Sequence, residues 1–225
     1  MNNLKKIYLF FNNLKLEFYK INFFQNFVGD FPSKKVFFPD YVKNNKSKIF
    51  FLKNNGFLRI KPKKVEKSIH KNFSSQYLLK DKNVFVGLIK NARIISKNAN
   101  IITEDNIDVN KDVSVLSSSM NSYENYFILP KIETINSRVL TISNSENYFH
   151  WMFEILPRLY FIKKTGLKTD YYLFPKNKQF QRDSIKALKI PKNKIIDLNE
   201  KTHIKVKEVL FSSMPIFSGN PTKEI

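Results

Sequence analysis

The sequence predicts an α/β protein whose C-terminal part is a parallel unit. Three observations carry that reading. Between residues 137 and 215, short apolar runs alternate with segments of helical period. From about 77 to 130 the runs are short, β-branched and separated by turn residues. Residues 1–28 instead place apolar side chains at helical spacing. With 42% hydrophobic residues over 225 positions, the chain has enough apolar material for a real core, in one large domain or two small ones.

In the first 28 residues, Leu4, Ile7, Tyr8, Phe11 and Leu14 follow a helix face, and Lys5, Lys6, Lys15 and Lys20 add charge. This basic amphipathic helix, taken as residues 1–30, suits either a peripheral anchor on an anionic membrane face or a helix packed on the protein body. Lys15, Glu17 and Lys20 interrupt it, so we read neither a signal peptide nor a membrane span. The expected location is cytoplasmic, with peripheral contact at the inner membrane face as an option. Pro32 and Pro39 punctuate the break that follows.

Residues 31–130 form the β-rich region. Ile49-Phe50-Phe51-Leu52 is a short apolar run in weakly patterned sequence. Residues 83–89, 92–95 and 100–103 read as strands. Glu104-Asp105-Asn106 is a turn leading into Ile107–Val109. Asp105, Asp108 and Asp112 lack the spacing and the glycine of a calcium loop, so turn chemistry explains them better.

From 137 the order is strand (138–142), helix (147–164), strand (171–174), helix (179–188), strand (194–198) and strand (206–211). Ser143-Asn144-Ser145 is a polar turn able to cap the first helix. Pro157 lies inside that helix, where it removes a hydrogen bond, so a kink or restart is expected there. Gly166 ends it. Phe180, Ile185 and Leu188 should point inward from the second helix.

The helix 147–164 holds the most informative pattern. It is apolar around most of its circumference, yet Asn147, His150, Glu154 and Arg158 fall on one stripe. Such a stripe is expected to face water or a wet cleft, where acid/base chemistry is found. His150 lies four residues before Glu154, so the two can meet across one turn.

Composition narrows the alternatives. The balance of 39 basic to 19 acidic residues gives +20, which favours anionic partners. Almost all of the excess is lysine, and Arg59, Arg93, Arg138, Arg158 and Arg182 do not cluster. Specific nucleic-acid recognition is therefore not expected. The chain has no cysteine, which excludes disulfides, cysteine-ligated zinc and thiol catalysis. No His/Asp/Glu trio has metal-ligand spacing and no Asp-x-Asp pair occurs, so no metal is expected. The 5 glycines are dispersed, with no Gly-x-Gly-x-x-Gly phosphate cradle. His70 and His203 read as surface or loop residues.

Asn147-Tyr148-Phe149-His150-Trp151, with Glu154 and Leu156-Pro157-Arg158-Leu159, resembles the hallmark of glycosyltransferase family 61, whose bacterial members act in capsular polysaccharide biosynthesis. The resemblance extends over roughly residues 80–215. It takes in Asn91-Ala92-Arg93, residues 101–106, Asp170-Tyr171-Tyr172-Leu173, Ile190-Pro191 and His203. It implies a GT-B architecture of two Rossmann-like halves, the C-terminal one holding a nucleotide-sugar donor and the N-terminal one the acceptor. Residues 131–215 would then be the Rossmann-like acceptor-side domain, and 216–225 a linker to a donor domain missing from this sequence. No His-Gly-Ala-like donor segment is present, so the isolated chain is expected to be inactive.

The resemblance further implies inverting, metal-independent transfer to a glycan or lipid-linked glycan acceptor, with no cofactor beyond the nucleotide-sugar co-substrate. His150 or Glu154 would be the catalytic base, and the sequence leaves the choice open. Asn147, Trp151 and Arg158 would bind substrate, Trp151 as a flat face for a sugar ring and Arg158 by pairing Glu154 or an anionic group. The alternative is a non-catalytic glycan- or protein-binding module derived from a half-enzyme.

Overall fold

The computed structural model describes residues 29–43, 47–52, 84–109, 123, 126–143 and 145–215. The expected N-terminal helix, apart from its last two residues, together with His70, Arg59, Asp112 and the segment 216–225, lies outside the described residues.

The architecture is mixed α/β, built on one open 10-stranded sheet. Its strands are β1 (Lys34–Lys35), β2 (Lys48–Leu52), β3 (Val84–Lys90), β4 (Arg93–Ile95), β5 (Asn100–Ile102), β6 (Ile107–Asp108), β7 (Glu133–Thr141), β8 (Tyr171–Phe174), β9 (Ile195–Asp197) and β10 (His203–Ser212). The order is β1-β6-β5-β4-β10-β7-β8-β9, with β3 also on β10 and β2 on β3. Strands β10, β7, β8 and β9 are mutually parallel, whereas β3 and β4 run antiparallel to β10. The β-rich region and the parallel unit are thus joined through β10 into one sheet.

β3 and β4 form one antiparallel track along β10. Asn91, at φ 52, interrupts the strand without losing the register. Its N–H still donates to Lys207 O at 2.9 Å, and Val206 N donates to Ala92 O at 2.9 Å. Asparagine is one of the few residues that tolerates this left-handed conformation.

Both sheet faces are buried, which is why the strands read as continuous apolar runs. Alternate residues serve opposite faces. Phe85, Ile89, Val139, Leu173, Val209 and Phe211 pack on one side with Phe38 from α1 (Phe38–Val42). Val84, Val86, Leu140, Phe174 and Leu210 pack on the other, against the 148–164 helix and α4 (Gln179–Ala187). On the first face Gly87 makes room for aromatic rings. A Cβ there would sit 2.4 Å from Phe211 Cζ and 2.6 Å from Phe38 Cε1.

The helix after β7 is irregular. It comprises a first turn, α2 (Tyr148–His150), a π-helical turn (Trp151–Ile155) and α3 (Leu156–Lys164). Pro157 sits at the start of α3. It has no N–H to offer the preceding turn, and the Leu156 N–H reaches back five residues to Trp151 O. The expected restart therefore takes the form of one wide turn. The cap comes from Asn147 rather than from the 143–145 turn: its Oδ1 accepts from Phe149 N at 2.9 Å and His150 N at 3.4 Å. On α4 the inward residues are Gln181 and Ile185, with Phe180 half-buried. Leu188, expected inside, is 50% exposed because it falls just beyond the helix end.

Candidate functional site

The loop after β7 delivers the 148–164 helix to the carboxyl ends of the parallel strands, where α/β sheets place their ligands. His150 and Glu154 meet there. His150 Nδ1 lies 2.9 Å from Glu154 Oε1, with the His150 side chain 32% exposed and that of Glu154 1%. The approach is too far out of line to count as a hydrogen bond, so this is an ion-pair distance without an aligned bond. Neither Glu154 oxygen has a hydrogen-bond partner, and buried Thr141 Oγ1 has none either. A buried carboxylate in this state is costly, and such orphans call for an explanation. The π-turn sets this geometry. The wide turn carries Glu154 inward while His150, in the turn before, keeps one edge outside.

The rest of the stripe behaves differently from expectation. Glu154 and Arg158 are both fully buried, so the stripe turns toward the sheet there, while its first two residues, exposed Asn147 and half-buried His150, meet solvent. Arg158 does not bond the Glu154 carboxylate. Its Nε donates to the Glu154 backbone oxygen at 3.3 Å, Nη1 donates to Ser143 Oγ at 3.3 Å, and Nη2 contacts Met214 Sδ. A guanidinium held this way ties the ends of β7 and β10 to the helix and is not open to a substrate. Trp151 is 0% exposed, and its Nε1 donates to Ser184 Oγ at 3.2 Å. It is a core side chain joining the helix to α4 and offers no face to a sugar. Asn147 spends its side-chain oxygen on the cap.

The aromatic surface lies on the neighbouring residues. Tyr148 and Phe149 are 58% and 40% exposed. The Phe149 ring is 5.7 Å from the His150 ring at 82° and 4.9 Å from the Phe153 ring. Sequence reasoning passed over these rings because an apolar helix surface reads as core. The available signal was two aromatics immediately before the histidine. Around the same loops, Glu146 lies 3.6 Å from both Lys97 and Lys178, and Lys97 reaches Glu200 at 3.1 Å. Gln181 Nε2 donates to Ser145 O at 2.9 Å. These bonds fix the loop from which the helix starts.

His203, expected at the surface, is instead buried on β10 at 1% exposure. Its Nδ1 bonds Pro130 O at 2.8 Å and its Nε2 faces Arg93 Nη1 at 3.2 Å. This fixes the tautomer: Nδ1 carries the proton and Nε2 accepts from the guanidinium. Burial above all, with the Arg93 charge adding to it, lowers the imidazole from 6.5 to about 4 against the raising effect of the Pro130 bond. Arg93 also bonds Asp30 O at 2.9 Å and Asn106 Oδ1 at 2.6 Å. Gly29 lies against that guanidinium at φ 67, where a Cβ would come within 2.5 Å of Nη1. His203 is therefore part of a structural clamp, 110 positions in sequence from Arg93.

Among the described residues, no group of three or more His, Asp or Glu is placed to hold a metal ion. No helix among them is long and apolar enough to cross a membrane. No protein-family model, curated protein or solved structure matches the chain.

Proposed function

We propose that this chain is the acceptor-side unit of a glycosyltransferase that moves sugar from a nucleotide-sugar to a bacterial surface polysaccharide acceptor. On this reading the sheet and its two helices serve as the Rossmann-like half of a GT-B enzyme. The observation that carries it is the contact between half-exposed His150 and buried, otherwise unpartnered Glu154. The resemblance of the Asn147–Leu159 motif to family 61 supplies the reaction class.

The geometry favours His150 as the base. Glu154 is sealed from solvent, so it cannot touch a substrate, whereas His150 has an open edge. With Nδ1 turned toward the carboxylate, Nε2 is the nitrogen that can face an acceptor hydroxyl. The hydroxyl oxygen attacks the anomeric carbon and its proton passes to Nε2. The bond from that carbon to the diphosphate breaks, and the electron pair leaves on the nucleotide diphosphate. Glu154 then balances the imidazolium, the positioning role of a carboxylate behind a histidine.

The test replaces the gene in its own bacterial host. Deletion is expected to remove or alter a surface polysaccharide. His150→Ala and Glu154→Gln should reproduce the deletion while the protein accumulates to wild-type level. An unchanged surface glycan in the deletion strain would sink the proposal.

A further inference from the structure

A concave surface lies away from His150. A groove of about 530 Å³ runs between α4 and the edge strand β9. Four of its nine lining residues are basic: Lys176, Arg182, Lys186 and Lys192. The chain as a whole carries 39 such residues in 225, so this wall is denser in cations than composition explains. Its one acid, Asp183, accepts a 2.7 Å hydrogen bond from Gln179 Nε2.

The cations are available. Lys97 and Lys178 are matched with carboxylates. Lys176, Lys186 and Lys192 have no carboxylate within ion-pair distance among the described residues. Arg182 is pre-set. Its Nη1 donates to Lys176 O at 2.7 Å and Asn177 O at 3.2 Å, and its Nη2 to Gln179 Oε1 at 2.6 Å. That leaves Nε and one Nη2 hydrogen free on a guanidinium whose orientation is already fixed.

The floor is apolar. Ile185 is buried, and Ile190 and Ile195 are half-buried. A low-dielectric floor beneath a ring of cations strengthens their pull on an anion. The groove is also separate from the first site. Phe180, Gln181 and Ser184 turn the other face of α4 toward the 148–164 helix and its loop. Residues 179, 182, 183 and 186 face the groove.

We infer that this groove binds a small phosphorylated molecule, its phosphate groups among Lys176, Arg182, Lys186 and Lys192 and its body over the isoleucine floor. Several cations round one concavity suit a multiply charged anion better than a single carboxylate, and the volume is that of an ordinary small-ligand site. The inference does not depend on the proposed transferase reaction.

The test is calorimetric titration of the full chain with inorganic pyrophosphate and with uridine diphosphate at physiological salt. Lys186→Gln with Lys192→Gln changes only exposed side chains and should weaken binding of either probe by roughly tenfold or more. Lys163→Gln with Lys168→Gln removes the same charge elsewhere and should change it less than about twofold. Tighter binding of uridine diphosphate than of pyrophosphate would assign the floor to a base or sugar. Equal binding would overturn the placement of the ligand's body over the isoleucine floor. No binding, or equal losses in the two double variants, would overturn the inference. His150→Ala should bind both probes normally, so failure of the groove and failure of the transferase reading are separable.

Discussion

Two histidines in this molecule each meet a charged neighbour, and they do so in opposite ways. His203 is sealed inside the sheet with both ring nitrogens engaged, one by Pro130 O and one by Arg93. His150 stands at the mouth of a helix with one edge in solvent and faces a carboxylate that nothing else satisfies. The first arrangement has every polar group answered and resists protonation. The second leaves buried oxygens without aligned partners beside an accessible proton acceptor. The contrast separates a residue kept for structure from one whose local cost needs a functional return. Burial and charge alone would have ranked them the other way.

The strongest way to break the comparison is to exchange activity for stability. If the proposed transferase function holds, His150→Ala or Glu154→Gln is expected to lower the turnover of the complete enzyme by about a hundredfold to ten-thousandfold. Glu154→Gln should at the same time leave the urea midpoint unchanged or raise it. It removes a buried charge that lacks compensating hydrogen bonds, at no change in volume. His203→Ala should do the reverse, costing about 2–4 kcal/mol through a cavity and two abandoned bonds. A Glu154→Gln protein that loses as much stability as His203→Ala would show that Glu154 is a structural group and that the His150 site is not chemical.

The next effect is in pH. The folded protein holds His203 at about 4 against an ordinary 6.5, so the unfolded chain takes up the proton first. Stability from this residue is complete above pH 6.5. It declines as pH falls through that value toward about 4, and below that the loss is complete. The total is on the order of 3 kcal/mol. Urea unfolding of wild type and His203→Gln at pH 7.5 and 4.5 measures it as a difference in slope. Parallel pH dependence in the two proteins would mean that His203 is not held neutral.

Much of the fold was legible because its periods are local. Residues 171–174, 195–197 and 203–212 form the strands the apolar runs announced, and Pro157 announced the restart of the helix. The His150–Glu154 contact was legible for the same reason, being one turn of one helix. What escaped is what depends on register and on which side of a helix is covered. The Arg93–His203 clamp exists because Lys205 pairs with Arg93 across β10 and β4, a relation between distant segments that no local pattern encodes. By its sequence the polar stripe marks the wet side of the helix. The sheet instead drew Trp151, Ile155, Phe161 and Ile162 inward, and Glu154 and Arg158 went with them, interleaved at the same helical spacing.

That inversion yields the smallest and most discriminating prediction. If the outward aromatics and not Trp151 receive the acceptor, Phe149→Ala should weaken acceptor binding by about twofold to tenfold. That corresponds to the roughly 0.5–1.5 kcal/mol of an aromatic contact. It should leave turnover at saturating acceptor nearly intact, because the His150–Glu154 pair is untouched. The ring is 40% exposed, so the fold should lose less than about 1 kcal/mol. Trp151→Ala cannot separate these quantities. Its ring is fully buried, and its removal should cost about 3–5 kcal/mol and carry activity down with it. The measurement is the Michaelis constant for acceptor against kcat in Phe149→Ala and Phe149→Tyr, the latter keeping a ring at the same place. A raised constant in the alanine variant, restored by tyrosine, would place the sugar against Phe149. A fall in kcat alone would mean that the ring merely steadies His150, and the acceptor would have to lie on another side of the imidazole.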